Sequence, residues 1–169
     1  LARAGVSAFY VASPGEFVAV RKVAAKAEML YMHPVKAQSD IRLALEKYRI
    51  RTLAVDHEDE VAKILKIVRG LDIAPGQITL FVRLAARGSA AYELSKKFGA
   101  SPAHGVEIVR RIAHIGFKVG LCFHVGSQVE DTDTYEGALA TAGWVRSRAG
   151  VDVVGVDIGA GVPGIYGIN

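Results

Sequence analysis

Two segments of the chain carry residues suited to binding a phosphorylated, planar ligand. The first is Phe123-His124-Val125-Gly126-Ser127, and the second is Asp157-Ile158-Gly159-Ala160-Gly161-Val162-Pro163-Gly164. In each, an apolar run leads into a turn of small residues whose backbone N–H groups are accessible, and such groups bind phosphate oxygens. The imidazole at the end of the first run offers a flat face to a ring. We therefore predict a phosphate-binding site where two strand ends meet.

Each of these residues also has a purely structural explanation. A histidine at a strand end is more often a core or capping residue, although Gly126 permits close backbone approach and the Ser127 hydroxyl can donate to a phosphate. The second turn is equally explained by a steric need for glycine. Ala160 keeps its N–H donor, but its Cβ would be strained if the position required a positive φ.

Three further residues combine polar chemistry with a position at or near a predicted strand. Arg83 lies in the apolar run 80–84, and burying an unpaired guanidinium is costly, which favours a functional role. Glu16 belongs to Ser13-Pro14-Gly15-Glu16, a capping-box pattern that explains it without a function. Cys122 lies inside an apolar strand and is interpreted as a small core residue.

The remaining histidines indicate no metal site. They show no metal-ligand spacing with cysteine or acidic residues, so we predict solvated or capping roles and no metal. These residues are His33, His57, His104 and His114.

Short apolar runs alternate with amphipathic helical patterns along the chain. The runs are rich in Val, Ile and Phe without clean alternation, which predicts strands covered on both faces. The predicted strands are Ala8–Ala12, Met29–Met32, Thr52–Val55, Ile78–Leu84, Val119–Phe123 and Val153–Ile158. Five helices are predicted. The first begins at the capping box, and the second has Ile41, Ala44, Leu45 and Tyr48 on its apolar face. The third begins after Asp56 as N-cap, the fourth at Ser101-Pro102, and the fifth near Asp133, with Leu139, Ala142 and Val145 on its apolar face. Gly116 and Gly150 are the predicted stops of the last two helices.

This alternation predicts an α/β fold with a parallel sheet. The turn 12–16 after the first strand lacks G-x-G-x-x-G, which argues against a dinucleotide-binding sheet. Glycine turns instead follow the fifth and sixth strands, as in phosphate-binding barrels, and a full barrel takes about 250 residues. We predict a partial (β/α)8 TIM barrel of about six βα units.

Composition excludes several classes of protein. The chain has 169 residues, of which 51% are hydrophobic, and one domain is expected. The net charge of +4 is dispersed over helix faces, so nucleic acid binding is not predicted. No apolar run approaches the roughly 20 residues of a membrane span, and the single cysteine suits the cytoplasm. Because the first residue is Leu and no signal-peptide pattern follows, we expect a piece of a longer protein.

The two turns, together with Leu94-Ser95-Lys96-Lys97-Phe98-Gly99-Ala100, resemble the fold-type III ornithine/arginine/diaminopimelate decarboxylases, which use pyridoxal phosphate (PLP). The resemblance implies a barrel of the alanine-racemase-like type. It implies that residues 1–169 are a single, incomplete PLP-binding barrel domain without the family's C-terminal β domain. The family's cofactor-carrying lysine, in an aromatic-Ala-Val-Lys-x-Asn segment, would lie just before Leu1.

The resemblance also implies roles for individual residues. It places His124 against the pyridine ring as the catalytic contact, and Lys97 near the interface of a homodimer. The cofactor-binding residues that it implies are Glu16, Arg83, His124, Ser127, Gly159, Ala160 and Gly161.

The activity implied by the resemblance is decarboxylation of a basic amino acid, with ornithine to putrescine, in polyamine biosynthesis, as the leading candidate. The isolated chain is expected to be inactive because it lacks the lysine. Two departures from the family are Tyr10, where an aspartate is common, and the Gly-Ala-Gly turn at Ala160. Two alternatives stay open: a non-catalytic binding or regulatory homologue, and another phosphate-binding barrel enzyme.

Overall fold

Six strands and five α-helices alternate along the residues that the structure, a computed structural model, describes, which are 2–86 and 97–164. The strands are β1 (Ala8–Val11), β2 (Glu28–Tyr31), β3 (Thr52–Val55), β4 (Thr79–Leu84), β5 (Lys118–Phe123) and β6 (Val156–Asp157). The helices are α1 (Pro14–Val23), α2 (Gln38–Glu46), α3 (Glu58–Gly70), α4 (Pro102–Ile115) and α5 (Thr132–Ala149). Among these described helices, none is long and apolar enough to cross a membrane.

The strands form one parallel sheet in chain order, β1-β2-β3-β4-β5-β6. Tyr10 of β1 and Asp157 of β6 nevertheless line the same cavity. Since these strands lie at opposite ends of the row, the sheet must curve so that its two ends approach each other. The predicted α/β fold and partial barrel of six βα units are thus confirmed.

The two faces of the sheet differ in environment. In β4 burial alternates: Leu80, Val82 and Leu84 pack into the core, whereas Phe81 and Arg83 are partly exposed on the concave face. The expectation of strands covered on both faces is therefore wrong for β4. A period of two leaves every second side chain of the strand facing the concave side, where a ligand can reach it.

The helices pack on the convex face along the predicted apolar stripes. Phe17, Ile41, Ile64 and Val109, one from each of α1 to α4, are fully buried. In α5 the predicted position of Leu139 is wrong, because its side chain is 46% exposed. The buried face of that helix is formed by Ala138, Ala142, Val145 and Ala149. That face repeats at intervals of four, three and four residues, which places it one position before Leu139.

Two predicted helix starts differ in detail. The N-cap of α3 is His57, whose side chain accepts from the Asp59 N–H, and the prediction of Asp56 is wrong. Asp56 Oδ2 instead accepts from the Gly99 N–H at 3.0 Å, so its carboxylate bonds a distant segment rather than the first turn of α3. At α1 the Ser13 side chain makes no capping bond, and its hydroxyl donates to Glu16 at 3.2 Å.

The remaining boundaries follow the sequence closely, except at β6. Ser101 caps α4, and Gly116 and Gly150 end α4 and α5 at φ of 95° and 66°. The predicted strand Val153–Ile158 shortens to two residues. Val154 N already donates to Val119 O at 2.8 Å and Gly155 O accepts from Leu121 N at 3.1 Å, so pairing with β5 begins before the two residues of β6.

Candidate cofactor site

A row of three side chains crosses the carboxyl ends of β4, β5 and β6. Arg83 is paired in register with Cys122, and Cys122 with Asp157. Neighbours in register point to the same side of a sheet, and His124, two residues after Cys122, follows on that side. A guanidinium, an imidazole and a carboxylate therefore share the concave face, as the rim position of a barrel site requires.

A cavity of about 260 Å³ opens over this row. It brings together four of the predicted site residues from three separate elements of the chain. The residues that line it are Tyr10, Met32, Arg83, Phe98, Cys122, Phe123, His124, Asp157, Gly159 and Ala160.

The other predicted site residues lie outside this cavity. Glu16 lines an adjoining cavity that shares Tyr10 and Arg83 with the first, and its Oε2 accepts from the Ala12 N–H at 2.9 Å. Ser127 is exposed and Gly161 is buried, and neither lines these two cavities.

The turns after β5 and β6 lie directly against each other. A Cβ on Gly159 would lie 2.7 Å from Phe123 O and 2.9 Å from His124 Nδ1, and its φ of +74° also requires glycine. A Cβ on Gly161 would lie 2.6 Å from Gly126 O. The two glycines thus allow the second turn to reach the base of His124.

The backbone of the second turn meets the requirements for a phosphate. Ala160 is not among the described residues with positive φ, so its Cβ carries no strain. The Gly159 N–H already donates to Asp157 Oδ1 at 2.8 Å, whereas the Ala160 and Gly161 N–H groups meet no acceptor within the described part of the chain. Ala160 lines the cavity, and an N–H without an acceptor at that place is suited to a phosphate oxygen, so the residues present fit PLP.

Burial and charge set the protonation of the polar side chains. Burial, and then the positive charge of Arg83, lower the pKa of His124, against an opposing effect of Asp157. Burial and the neighbouring Asp157 raise the pKa of Tyr10. At neutral pH His124 is therefore an uncharged imidazole, and Tyr10 keeps its hydroxyl proton.

Cys122 is a core residue, as predicted. It is only 4% exposed, and burial raises the pKa of its thiol. A protonated, enclosed thiol is a poor nucleophile, so Cys122 contributes shape rather than reactivity to the cavity.

Sequence reasoning missed three residues that line the cavity. Asp157 carries the same signal as Arg83, a charge inside an apolar run, and could have been singled out on that ground. Phe98 supports the guanidinium of Arg83, which lies 5.5 Å from its ring centroid. Met32 comes directly after β2, and no sequence pattern marks it.

The capping role predicted for histidines is confirmed at His57, whose Nδ1 accepts from the Asp59 N–H, whereas His33 Nδ1 accepts from the Val35 N–H within the loop before α2. The sequence shows no metal-ligand spacing for these histidines, but the fold brings two of them together with a carboxylate. Ligand atoms of His57, Glu58 and His104 all lie within 4.8 Å of one another. Spacing along the chain could not reveal the cluster, since two separate helix starts supply it.

The family model described as "Pyridoxal-dependent decarboxylase, pyridoxal binding domain" matches residues 1–167. The chain belongs to this family. It is 33% identical to the lysine/ornithine decarboxylase of Selenomonas ruminantium, with 96% of this chain and 42% of that protein covered. It is 31% identical to the ornithine decarboxylase of Mus musculus, with 92% of this chain and 33% of that protein covered. The chain thus spans about two-fifths of the length of its first relative.

Solved structures show the same fold. The Vibrio vulnificus lysine/ornithine decarboxylase complexed with cadaverine superimposes with a TM-score of 0.76 at 30% identity, covering 97% of this chain and 42% of that one. Alanine racemase from Acinetobacter baumannii superimposes with a TM-score of 0.70 at 14% identity, covering 92% and 43%. The alanine-racemase-like barrel is confirmed, and the membership of the PLP family excludes an unrelated phosphate-binding barrel enzyme.

Proposed function

We propose that the complete protein is a PLP-dependent decarboxylase of a basic amino acid, with ornithine and lysine as its first candidate substrates. The observation that carries this proposal is the single cavity in which His124, Arg83 and the open turn at Ala160 meet. The names of the relatives support the substrate class, because both ornithine and lysine occur among them. Ornithine would make the product putrescine and the pathway polyamine synthesis.

Each polar group has a definite task in this proposal. PLP, when bound, accepts the electron pair left when the substrate carboxylate departs as CO2. The neutral His124 offers its imidazole face to the cofactor ring, and burial keeps it from adding a positive charge there. The Ala160 and Gly161 N–H groups bind phosphate oxygens, with the Gly159 turn holding them in place.

Arg83, Glu16 and Ser127 complete the proposed set at different distances from the cavity. Arg83 supplies a positive charge that favours carboxylates and phosphate in the cavity. Glu16 is positioned by the Ala12 N–H at the edge of the adjoining cavity, where an ammonium group could approach it. The exposed Ser127 would donate its hydroxyl to the phosphate once the ligand orders the rim.

Other parts of the complete protein belong to the proposal as well. We place the lysine that attaches the cofactor, and the C-terminal β domain, outside residues 1–169. We also propose a cytoplasmic homodimer with the exposed Lys97 close to the interface.

The test uses the complete gene product. The protein is incubated with PLP, reduced with borohydride and digested, and the modified lysine is mapped by peptide mass spectrometry. Release of CO2 from carboxyl-labelled ornithine and lysine is measured in parallel. We expect one modified lysine outside residues 1–169 and turnover of at least one of the two amino acids.

Tyr10 favours a second candidate, a non-catalytic homologue that keeps the barrel for binding. Its phenol occupies the cavity beside Asp157, where the family commonly has a carboxylate. PLP labelling without CO2 release from any basic amino acid would support this candidate. Absence of a labelled lysine would contradict the decarboxylase and likewise support a barrel kept for binding.

A further inference from the structure

Three metal-ligating side chains meet at the surface between α3 and α4. His57 is the N-cap of α3, Glu58 is the first residue of that helix, and His104 lies in the first turn of α4. Glu58 Oε2 lies 2.5 Å from His104 Nε2 and 3.9 Å from His57 Nδ1. Two helix starts that are distant in sequence thus bring two imidazoles and a carboxylate into one cluster.

The chemistry of the cluster suits a transition-metal ion. Two imidazoles and one carboxylate form a donor set that binds Zn²⁺ and leaves a coordination position for water. The rings lie edge to face with centroids 5.4 Å apart, so both approach the Glu58 carboxylate without stacking on each other. The side chains of His57, Glu58 and His104 are 53%, 39% and 28% exposed, which leaves access for an ion and its water.

The surrounding charge also favours a cation. Asp59 Oδ2 lies 3.4 Å from His57 Nδ1, which places a second carboxylate at the edge of the cluster. Neutral imidazoles and ionised carboxylates are the forms in which these side chains bind metals.

We propose that His57, Glu58 and His104 bind one divalent transition-metal ion of the Zn²⁺ class. The ion takes the place of the hydrogen bond between Glu58 and His104 and of the bond that His57 Nδ1 accepts from the Asp59 N–H, because the one lone pair of that nitrogen cannot serve both. This site is separate from the cofactor cavity and does not depend on the proposed decarboxylase activity.

The location of the site links it to the cofactor cavity through one short segment. A surface pocket next to the cluster is lined by His57, His104 and Phe98, and Phe98 also lines the cofactor cavity. The neighbouring Gly99 N–H donates to Asp56 Oδ2. An ion that holds the start of α3 to the start of α4 therefore also restrains the segment that carries Phe98.

The test is a calorimetric Zn²⁺ titration of the complete protein after chelator treatment. His57→Asn removes one ligand but keeps a good N-cap, and His104→Gln keeps a hydrogen-bonding partner for Glu58. His114→Gln is the matched control, because His114 is exposed in the last turn of the same helix as His104. We expect one Zn²⁺ per chain, with affinity at least tenfold weaker in the first two variants and unchanged in the third.

A spectroscopic measurement tests direct coordination independently of affinity. Co²⁺ in place of Zn²⁺ should give visible absorption bands that disappear in His57→Asn and His104→Gln and persist in His114→Gln. Circular dichroism identifies any variant that has not folded, and for such a variant Glu58→Gln replaces it. Zn²⁺ affinity that is the same in all variants, or an absence of saturable binding, would overturn the proposal.

Discussion

Lys36 Nζ lies 3.1 Å from Glu60 Oε1, and both side chains are almost completely removed from solvent. The ammonium also donates to Ala54 O at 2.6 Å and to His33 O at 3.0 Å. Through these bonds one side chain joins the loop after β2 to β3 and to the first turn of α3. That loop begins next to Met32, which lines the cofactor cavity, so this ion pair stabilises the backbone beside the cavity.

Replacing Lys36 by methionine should destabilise the fold strongly. The substitution leaves the buried Glu60 with the Lys63 ammonium and the backbone N–H of residue 36 as its partners, and it removes the ammonium that donates to the carbonyls of Ala54 and His33. Removing one member of a buried pair costs about 3 kcal/mol. Urea unfolding of the complete protein measures the change. The control is Lys66→Met at an exposed position of α3, for which we expect no change beyond about 0.5 kcal/mol. Equal stabilities of the two variants would show that the pair contributes nothing.

The pKa of His124 should lie below the value of about 6.5 of a free histidine. Because the folded protein then binds fewer protons than the unfolded chain, the contribution of His124 to stability is fully present above pH 6.5. It is lost as the pH falls from 6.5 through the lower pKa of the folded state. NMR titration of the imidazole measures that pKa directly in the PLP-free protein.

Two substitutions test whether protonation of His124 causes this loss of stability. His124→Gln cannot gain the proton, so the loss of stability between pH 6.5 and 5 should be smaller in this variant than in the parent protein. The Arg83→Gln substitution removes the positive charge that opposes protonation and should raise the pKa of His124. A His124 pKa above 6.5 in the parent would contradict the assignment of a neutral imidazole.

Gly161→Ala should separate the two turns that form the candidate phosphate site. The new Cβ would lie 2.6 Å from both Gly126 O and the Tyr135 hydroxyl, so one of the turns must move. Overpacking of this kind costs about 1–3 kcal/mol, and PLP affinity should fall because the open N–H groups shift. Thermal unfolding and fluorescence titration with PLP measure the two effects.

Gly164→Ala serves as the matched substitution for this prediction. It lies in the same segment, but a Cβ there has nothing within 4 Å. We expect the stability and PLP affinity of Gly164→Ala to match those of the parent protein. If Gly161→Ala also matches the parent protein, the close approach of the two turns contributes neither to stability nor to PLP affinity.

Local patterns predicted the elements of this fold well because strands, helix stops and caps depend on nearby residues. Gly116 and Gly150 end helices as expected from their freedom to adopt positive φ. The errors arise where tertiary contacts override local preference. Aspartate is a common N-cap residue, yet the Asp56 carboxylate accepts from the Gly99 N–H of a distant segment instead.

The same distinction applies to the candidate site. His124, Arg83 and the turn at Gly159 carry signals in their own segments and meet in one cavity. The contribution of Phe98 to that cavity depends on how the connection after β4 returns to the rim, which spacing along the chain does not specify. Residues 87–96 of that connection, including Leu94, Ser95 and Lys96 of the family motif, lie outside the described residues.

Tyr10 should influence the pH dependence of the proposed activity. The phenol is 53% exposed and lines the cavity with Asp157, and partial burial, followed by the Asp157 carboxylate, raises the pKa of Tyr10. Tyr10→Phe removes the hydroxyl and leaves the ring that lines the cavity, so PLP affinity should stay within about twofold. Tyr10→Asp introduces the common family residue, and the two carboxylates would then repel each other across the cavity. For the proposed decarboxylase activity of the complete protein, we expect Tyr10→Asp to raise the pH at which kcat reaches half of its maximum, because two neighbouring carboxyls oppose each other's ionisation. Steady-state kinetics from pH 5 to 9 on all three proteins checks this, and superimposable profiles would show that Tyr10 and Asp157 are not coupled.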